Sequence, residues 1–153
     1  MASVRVAEIL AAVRAGSPNG SGMPGDLVRA CARSLPVSGV GLALMTPKGP
    51  AGTVAATDGA ALELEELQFT LGEGPCVDAS SSGRPVLQPD LAATGPHRWP
   101  VFAGGALAAG VAAVFAFPLR VGAIHVGVLD LYRVTCEARD CPMVNGAAPA
   151  VRV

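Results

Sequence analysis

Five side chains are of the types that covalent catalysis requires. Cys76 could serve as a nucleophile, His97 or His125 as a base, and Asp78 or Asp90 as an orienting acid. Nucleophilic catalysis needs a nucleophile, a base and an acid within hydrogen-bond reach. The residues around these five do not match a hydrolase elbow or a cysteine-protease signature. Residue types without a motif are weak evidence for catalysis, so the sequence favours a protein that is not an enzyme.

Metal and phosphate ligands follow no recognisable spacing. Four residues separate Cys136 from Cys141, and no second ligand pair lies nearby in the sequence. Structural zinc sites need four ligands, so two free thiols and no metal site are expected. The loop at 72–74 (Gly-Glu-Gly) carries an acid and lacks the lysine of a phosphate-binding loop. His97 leaves haem or another cofactor open, and the sequence identifies no cofactor.

Residues 70–79 (TLGEGPCVDA) form the turn around which the other elements are arranged. Two glycines allow a tight loop, and Pro75 suits the first position of a new helix. The pattern predicts a helix–loop–helix corner that holds Glu73 and Cys76. Cys76 is either a buried small side chain or a redox-sensitive thiol, because a helix N-terminus favours a thiolate.

Composition bounds the classes of function. The chain has 153 residues, 51% of them hydrophobic and 15% charged, and a net charge of -1. This length fits one domain, and the absence of a basic block argues against nucleic-acid binding. No secretory signal is visible, so a cytoplasmic protein with free thiols is expected. The uncharged run at 99–119 could span a bilayer, but its Ala, Gly and Pro content favours a helix followed by a buried strand.

Hydrophobic periodicity predicts an α+β domain with an antiparallel sheet and helices packed on it. Gly39, Gly41 and Ala43 give one strand a smooth face that another element could approach closely. Asp90 is expected to lead into a loop that runs through Gly95 to Trp99. Helices are predicted at 3–15, 26–34, 60–70 and 75–82 and from Pro100, and strands at 37–46, 52–57, 85–89, 113–121 and 124–132.

Five blocks of sequence, in this order, resemble actinobacterial GAF domains that precede an ANTAR output domain. They are LEELQFTLGEGPCVDA (64–79), GRPV (83–86), PDL (89–91), RWPVF (98–102) and GVLDLYR (127–133). The resemblance implies an antiparallel sheet with helices on one face and a concave site on the other. It also implies a sensory or dimerising role. In the two-domain relatives, the ANTAR bundle binds nascent RNA as a transcription antiterminator.

The resemblance ends after Arg133. We therefore expect a GAF-like sensor domain at 1–133 and an irregular or disordered tail at 134–153, with the output domain absent. The loss of pattern suggests a reading-frame change or a truncation. RNA binding is accordingly not expected of this chain.

A small molecule on the concave side of the sheet is the expected ligand. Its candidate contacts are Phe69, Cys76, Asp90, Arg98, Trp99 and Phe117, which could equally fill a closed core. The leading interpretation is a sensory domain of a bacterial signalling protein that binds a small molecule, forms a homodimer, or does both. The alternatives are a dimerisation module without a ligand and, less favoured, an enzyme.

Overall fold

The computed structural model describes residues 22–46, 48–121 and 123–134, and these contain five helices and five strands. The elements, in chain order, are α1 (Gly22–Ser34), β1 (Gly39–Thr46), β2 (Gly49–Ala56), α2 (Gly59–Leu71), α3 (Pro75–Ser82), β3 (Val86–Gln88), α4 (Leu91–Arg98), α5 (Pro100–Ala108), β4 (Val111–Val121) and β5 (Ile124–Val134). Val134, the first residue of the predicted tail (134–153), is the last residue of β5. The predicted helix at 3–15 and the rest of that tail lie outside this description.

The strands form one antiparallel sheet in the order β2-β1-β5-β4-β3. The long β4–β5 hairpin is central, and its register joins Val121 to Ile124 at the turn. The short strand β3 lies at an edge of the sheet and, among the described strands, pairs only with β4. Proline lacks the N–H that a strand donates to its neighbours, so the prolines on either side of β3 are tolerated at this edge. The predicted α+β class with an antiparallel sheet is confirmed.

Two hydrophobic cores lie on opposite faces of this sheet, because neighbouring strand residues point to opposite sides. Tyr132 packs in the core formed with α2, α3, α4 and α5, whereas Leu131 packs with Val28 and Cys31 of α1. Four helices therefore lie on one face. The α1 helix covers part of the other face, mainly over β1 and β2.

Two helices differ from the sequence-based expectation. The segment after Asp90 is helix α4 rather than a loop, because the Asp90 side chain accepts a hydrogen bond from the Ala93 N–H and caps it. Gly95 is buried against Leu91 within this short helix. The α1 helix begins at Gly22, four residues before the predicted cap Asp26.

The uncharged run at 99–119 is divided between α5 and β4, as the sequence predicts. Among the described helices, none is long and apolar enough to cross a membrane.

A bulge in the hairpin changes the direction of a histidine. Leu119 pairs with Gly127 and Arg120 with His125, so Val126 is an extra residue in β5. Strict alternation would place His125 on the side of Gly127. Instead, its ring lies beside α3, where a Cβ on Gly83 would be 3.1 Å from a His125 ring carbon.

Candidate functional site

The predicted corner at 70–79 is confirmed, and its polar side chains connect three elements. Glu73 Oε1 accepts hydrogen bonds from the backbone N–H groups of Val101 (2.8 Å) and Phe102 (2.9 Å), at the start of α5. Asp78 Oδ2 accepts from the Trp99 indole N–H at 3.0 Å. The loop therefore fixes where α5 begins and how the buried Trp99 is oriented.

Gln68 fixes the entry into α3 from inside the core. Its Oε1 atom accepts a hydrogen bond from the Cys76 backbone N–H at 2.8 Å. Gly74 has φ 138°, and a Cβ there would overlap the Gln68 side chain. Glycine is required at this position both for the backbone angle and for the space.

A polar cluster is buried beneath this corner, between α2, α3 and β5. It consists of Glu65, Gln68, Cys76, Asp130 and Tyr132, none of them more than 1% exposed. The Tyr132 hydroxyl donates to Glu65 Oε1 at 2.5 Å, and Gln68 Nε2 donates to the Tyr132 oxygen at 3.2 Å. Ligand atoms of Glu65, Cys76 and Asp130 lie within 4.8 Å of one another.

Part of this cluster has no hydrogen-bond partner. Among the described residues, neither carboxylate oxygen of Asp130 has a hydrogen-bond partner, and Glu65 Oε2 has none either. The two acids can share a proton only when one of them is neutral. Buried polar atoms are nearly always satisfied, so three unpaired carboxylate oxygens in one place need an explanation.

Burial raises the pKa of both acids, because it removes water from the charged form. For Asp130 the Glu65 charge adds to this effect, and for Glu65 the neighbouring Asp130 and Tyr132 side chains partly offset it. No described lysine, arginine or histidine is among the groups that act on either pKa. The cluster is therefore an uncompensated site that favours protons or another positive charge.

The hypothesis that Cys76 is a redox-sensitive thiolate is wrong. The side chain is 1% exposed. Burial first, and then the Asp130 and Glu65 charges, raise the pKa of the Cys76 thiol far above its ordinary value. Both effects favour the protonated thiol over the thiolate, so Cys76 fits the expected buried small side chain and not the redox-sensitive one.

A surface cleft of about 530 Å³ opens on the same side of the sheet, between the end of β1, α3 and the start of β5. We call it the β1–α3 cleft. The Nδ1 atom of His125 is buried there and has no hydrogen-bond partner in the part of the chain that the structure describes. Its lining residues are Met45, Thr46, Lys48, Ser80, Ser81, Ile124 and His125.

The six residues expected to contact a ligand are not gathered in one cavity. Cys76 and Trp99 are buried in the core on the side of α2 to α5, and Phe69 packs against that core. Phe117 packs in the core on the opposite face. The two exposed candidates are Asp90, which caps α4, and Arg98, which lies 3.3 Å from Asp78 and stacks on Trp99.

The sequence interpretation missed four residues of the buried cluster, although weak signals for them exist. Ala61, Leu64, Glu65 and Gln68 follow helical spacing, which places both polar side chains on the buried face of α2. The smooth strand face was correctly predicted to allow close approach: a Cβ on Gly41 would overlap Glu65. Asp130 and Cys76 are 54 residues apart in the numbering, so only the fold brings them together.

No protein-family model and no curated protein matches the sequence. Several solved structures are similar in fold. The GAF domain of an Acinetobacter phosphoenolpyruvate-protein phosphotransferase superposes with a TM-score of 0.58 at 12% identity, over 88% of this chain and 79% of that one. A domain of a Sinorhizobium meliloti two-component sensor histidine kinase gives 0.54 at 18% identity, over 82% and 80%.

An enzyme has a similar fold. The free methionine-R-sulfoxide reductase of Neisseria meningitidis, solved with its substrate, gives a TM-score of 0.52 at 16% identity, over 86% of this chain and 74% of that one. At these identities the likeness concerns the fold and not the activity. The sheet, the helices packed on it and these similarities together show that the chain has the fold of GAF domains.

Proposed function

We propose that this protein is a sensory or regulatory domain that binds a small polar molecule in the β1–α3 cleft. The observation that carries the proposal is the buried, unpaired Nδ1 atom of His125 in the wall of that cleft. A buried nitrogen without a partner is uncommon in a closed core, and a ligand would satisfy it. The bulge in β5 directs this ring into the cleft.

The remaining lining residues favour an anionic or oxygen-rich ligand. Lys48 supplies a positive charge, and Ser80 and Ser81 supply hydroxyl groups. Met45 and Ile124 give an apolar wall. A cleft of this volume with a few convergent polar groups is typical of small-molecule sites. A metabolite that carries a carboxylate or phosphate group fits this chemistry best.

The fold supports a regulatory role because domains of a sensor histidine kinase and of a phosphotransferase share it. Binding would bias the conformation of the domain and pass that bias to an output. In the regulators that the sequence resembles, the output is RNA-binding antitermination. We place the protein in the bacterial cytoplasm, in agreement with its composition.

A thermal-shift screen of carboxylate and phosphate metabolites tests this proposal. A ligand that binds only the native state raises the unfolding midpoint. At one hundred times its Kd, such a ligand raises the free energy of unfolding by about 2.7 kcal/mol. His125→Gln should abolish the shift, whereas His97→Gln, at the exposed histidine of α4, should leave it unchanged. A panel that shifts nothing, or a shift that survives H125Q, would count against the cleft as the binding site.

Dimerisation without a ligand is the second candidate function. Leu44 and Leu87 are 48% and 56% exposed on the face of the sheet that α1 covers only in part. Phe115 and Phe117 are half-buried beside them. Light scattering after size exclusion should then give twice the chain mass. Leu87→Glu should restore the mass of a monomer, and Val101→Glu on α5 should not.

A further inference from the structure

The buried cluster of Glu65, Cys76 and Asp130 lies apart from the β1–α3 cleft and has no role in the proposed ligand binding. We propose that these three residues form a site for one divalent transition-metal ion, of which Zn²⁺ is the representative. The metal would join α2, α3 and β5 inside the core. This inference does not rest on the proposed function of the cleft.

The geometry brings three potential ligands together. The nearest ligand atoms of Glu65, Cys76 and Asp130 all lie within 4.8 Å of one another. Atoms at such separations can surround one ion after small side-chain shifts, because Zn²⁺ binds oxygen at about 2.0–2.2 Å and sulfur at about 2.3 Å. The three ligands come from different elements, so one ion would hold them together.

The second observation is that the carboxylate oxygens aimed into the cluster are unpaired. Asp130 is fully buried, and neither of its oxygens has a hydrogen-bond partner among the described residues. Glu65 is equally buried and its Oε2 is unpaired. A cation would satisfy all three oxygens and compensate their charge, which no described side chain does.

The surrounding hydrogen bonds already orient two of the ligands. The Tyr132 hydroxyl donates a hydrogen bond to Glu65 Oε1, and Glu65 Oε2 remains available to bind a metal ion. Gln68 donates a hydrogen bond to the Tyr132 oxygen and accepts one from the Cys76 backbone N–H. Metal ligands in proteins are usually fixed in this way by hydrogen bonds from a second layer of residues.

The donor set selects the class of metal. One thiol and two carboxylates suit Zn²⁺ or a similar transition ion. Mg²⁺ and Ca²⁺ favour ligand sets made of oxygen alone. The fourth position would be taken by water or by the Tyr132 oxygen after a small shift.

The test uses the full-length chain without an affinity tag, carrying Cys136→Ser and Cys141→Ser to remove the two tail thiols. The protein is freed of metal with a chelator and titrated with Zn²⁺ alone. Native mass spectrometry should show one Zn²⁺ per chain, and the unfolding midpoint should rise. Replacement by Co²⁺ should give a near-ultraviolet sulfur-to-metal charge-transfer band, which reports thiolate ligation directly.

The variants separate this site from incidental binding. Cys76→Ser should remove the Co²⁺ band, whereas Cys31→Ser, at the other described buried cysteine, should leave it intact. Asp130→Asn and Glu65→Gln keep the side-chain shape and should weaken Zn²⁺ binding at least about tenfold. Trp99 fluorescence checks that each variant is folded.

Three results would overturn the proposal: no stoichiometric Zn²⁺ in the parent chain, a Co²⁺ band that survives C76S, or an affinity that neither carboxyl variant changes. If a variant does not fold, the parent titration and the remaining variants still decide the outcome. Failure here would leave the cleft proposal untouched, because H125Q tests that site separately.

Discussion

The Gln68 side chain makes two hydrogen bonds inside the core, one to each of two other elements. It joins the corner at Cys76 to the Tyr132 hydroxyl, and so connects α3 to β5. Glu65 is positioned in the same way, by Tyr132 on one side and by the space above Gly41 on the other. Buried polar networks of this kind are costly to break, because the partner left behind stays buried and water does not replace the lost hydrogen bond.

Gln68→Leu should destabilise the protein by about 1–3 kcal/mol, because it leaves the Cys76 N–H buried without an acceptor. Urea unfolding followed by circular dichroism measures the effect. Glu66→Leu on the exposed side of the same helix is the control, and we expect a change within about 0.5 kcal/mol. Equal midpoints for Q68L and the parent would show that the network contributes little.

Gly41→Ala should also destabilise, by about 1–3 kcal/mol, because the new Cβ overlaps the Glu65 side chain in a packed interior. Gly52→Ala in the neighbouring strand is matched to it, since no atom of the described residues lies within 4 Å of a Cβ there. Thermal melts of the two variants should differ clearly. A G41A protein as stable as G52A would contradict the close approach of Glu65.

At the scale of elements, helix ends are fixed by side chains from elsewhere in the chain. The α5 helix lacks a side-chain cap of its own, and Trp99 at its N-cap position makes no capping hydrogen bond. Glu73 from the 70–79 corner supplies the acceptor instead. A carboxylate at this position satisfies free N–H groups and also interacts favourably with the helix dipole.

Glu73→Ala should therefore cost about 1–2 kcal/mol, the usual range for losing a helix cap. Hydrogen exchange should rise first at the Val101 and Phe102 amides. Glu63→Ala, on the exposed face of α2, serves as the comparison. If those two amides exchange at the parent rate in E73A, the Glu73 contacts do not form in solution.

At the scale of the whole molecule, one sheet is shared by two cores. The larger core contains the single tryptophan, Trp99, and the smaller one contains Val28 and Cys31 of α1. Strands β1, β4 and β5 contribute to both cores. Loss of one core therefore removes support from the other, and the domain should unfold in one transition.

Val28 and Trp99 lie in different cores. Val28→Ala should lower the unfolding midpoint by the same amount whether unfolding is followed by Trp99 fluorescence or by circular dichroism. The expected loss is about 2 kcal/mol for a buried aliphatic truncation. Val54→Ala at a 45% exposed position should change little. Separate transitions for the two probes would show that α1 unfolds independently.

The sequence alone determined the α+β class, the antiparallel hairpins, the 70–79 corner and most element positions. It did so because hydrophobic periodicity, glycine and proline act locally, within a few residues. It misread residues 91–98 as a loop, because Gly95 and Pro96 are common breakers while the Asp90 cap that outweighs them is a single side chain.

Both proposed sites depend on tertiary packing that the sequence pattern does not reveal. Glu65, Cys76 and Asp130 meet because α2, α3 and β5 pack together, and their sequence spacing carries no trace of that contact. The direction of His125 depends on a one-residue bulge set by pairing with β4. Burial also distinguishes the two roles that the sequence left open for Cys76 and favours the buried side chain, since desolvation is a property of the surrounding atoms and not of the residue's place in the chain.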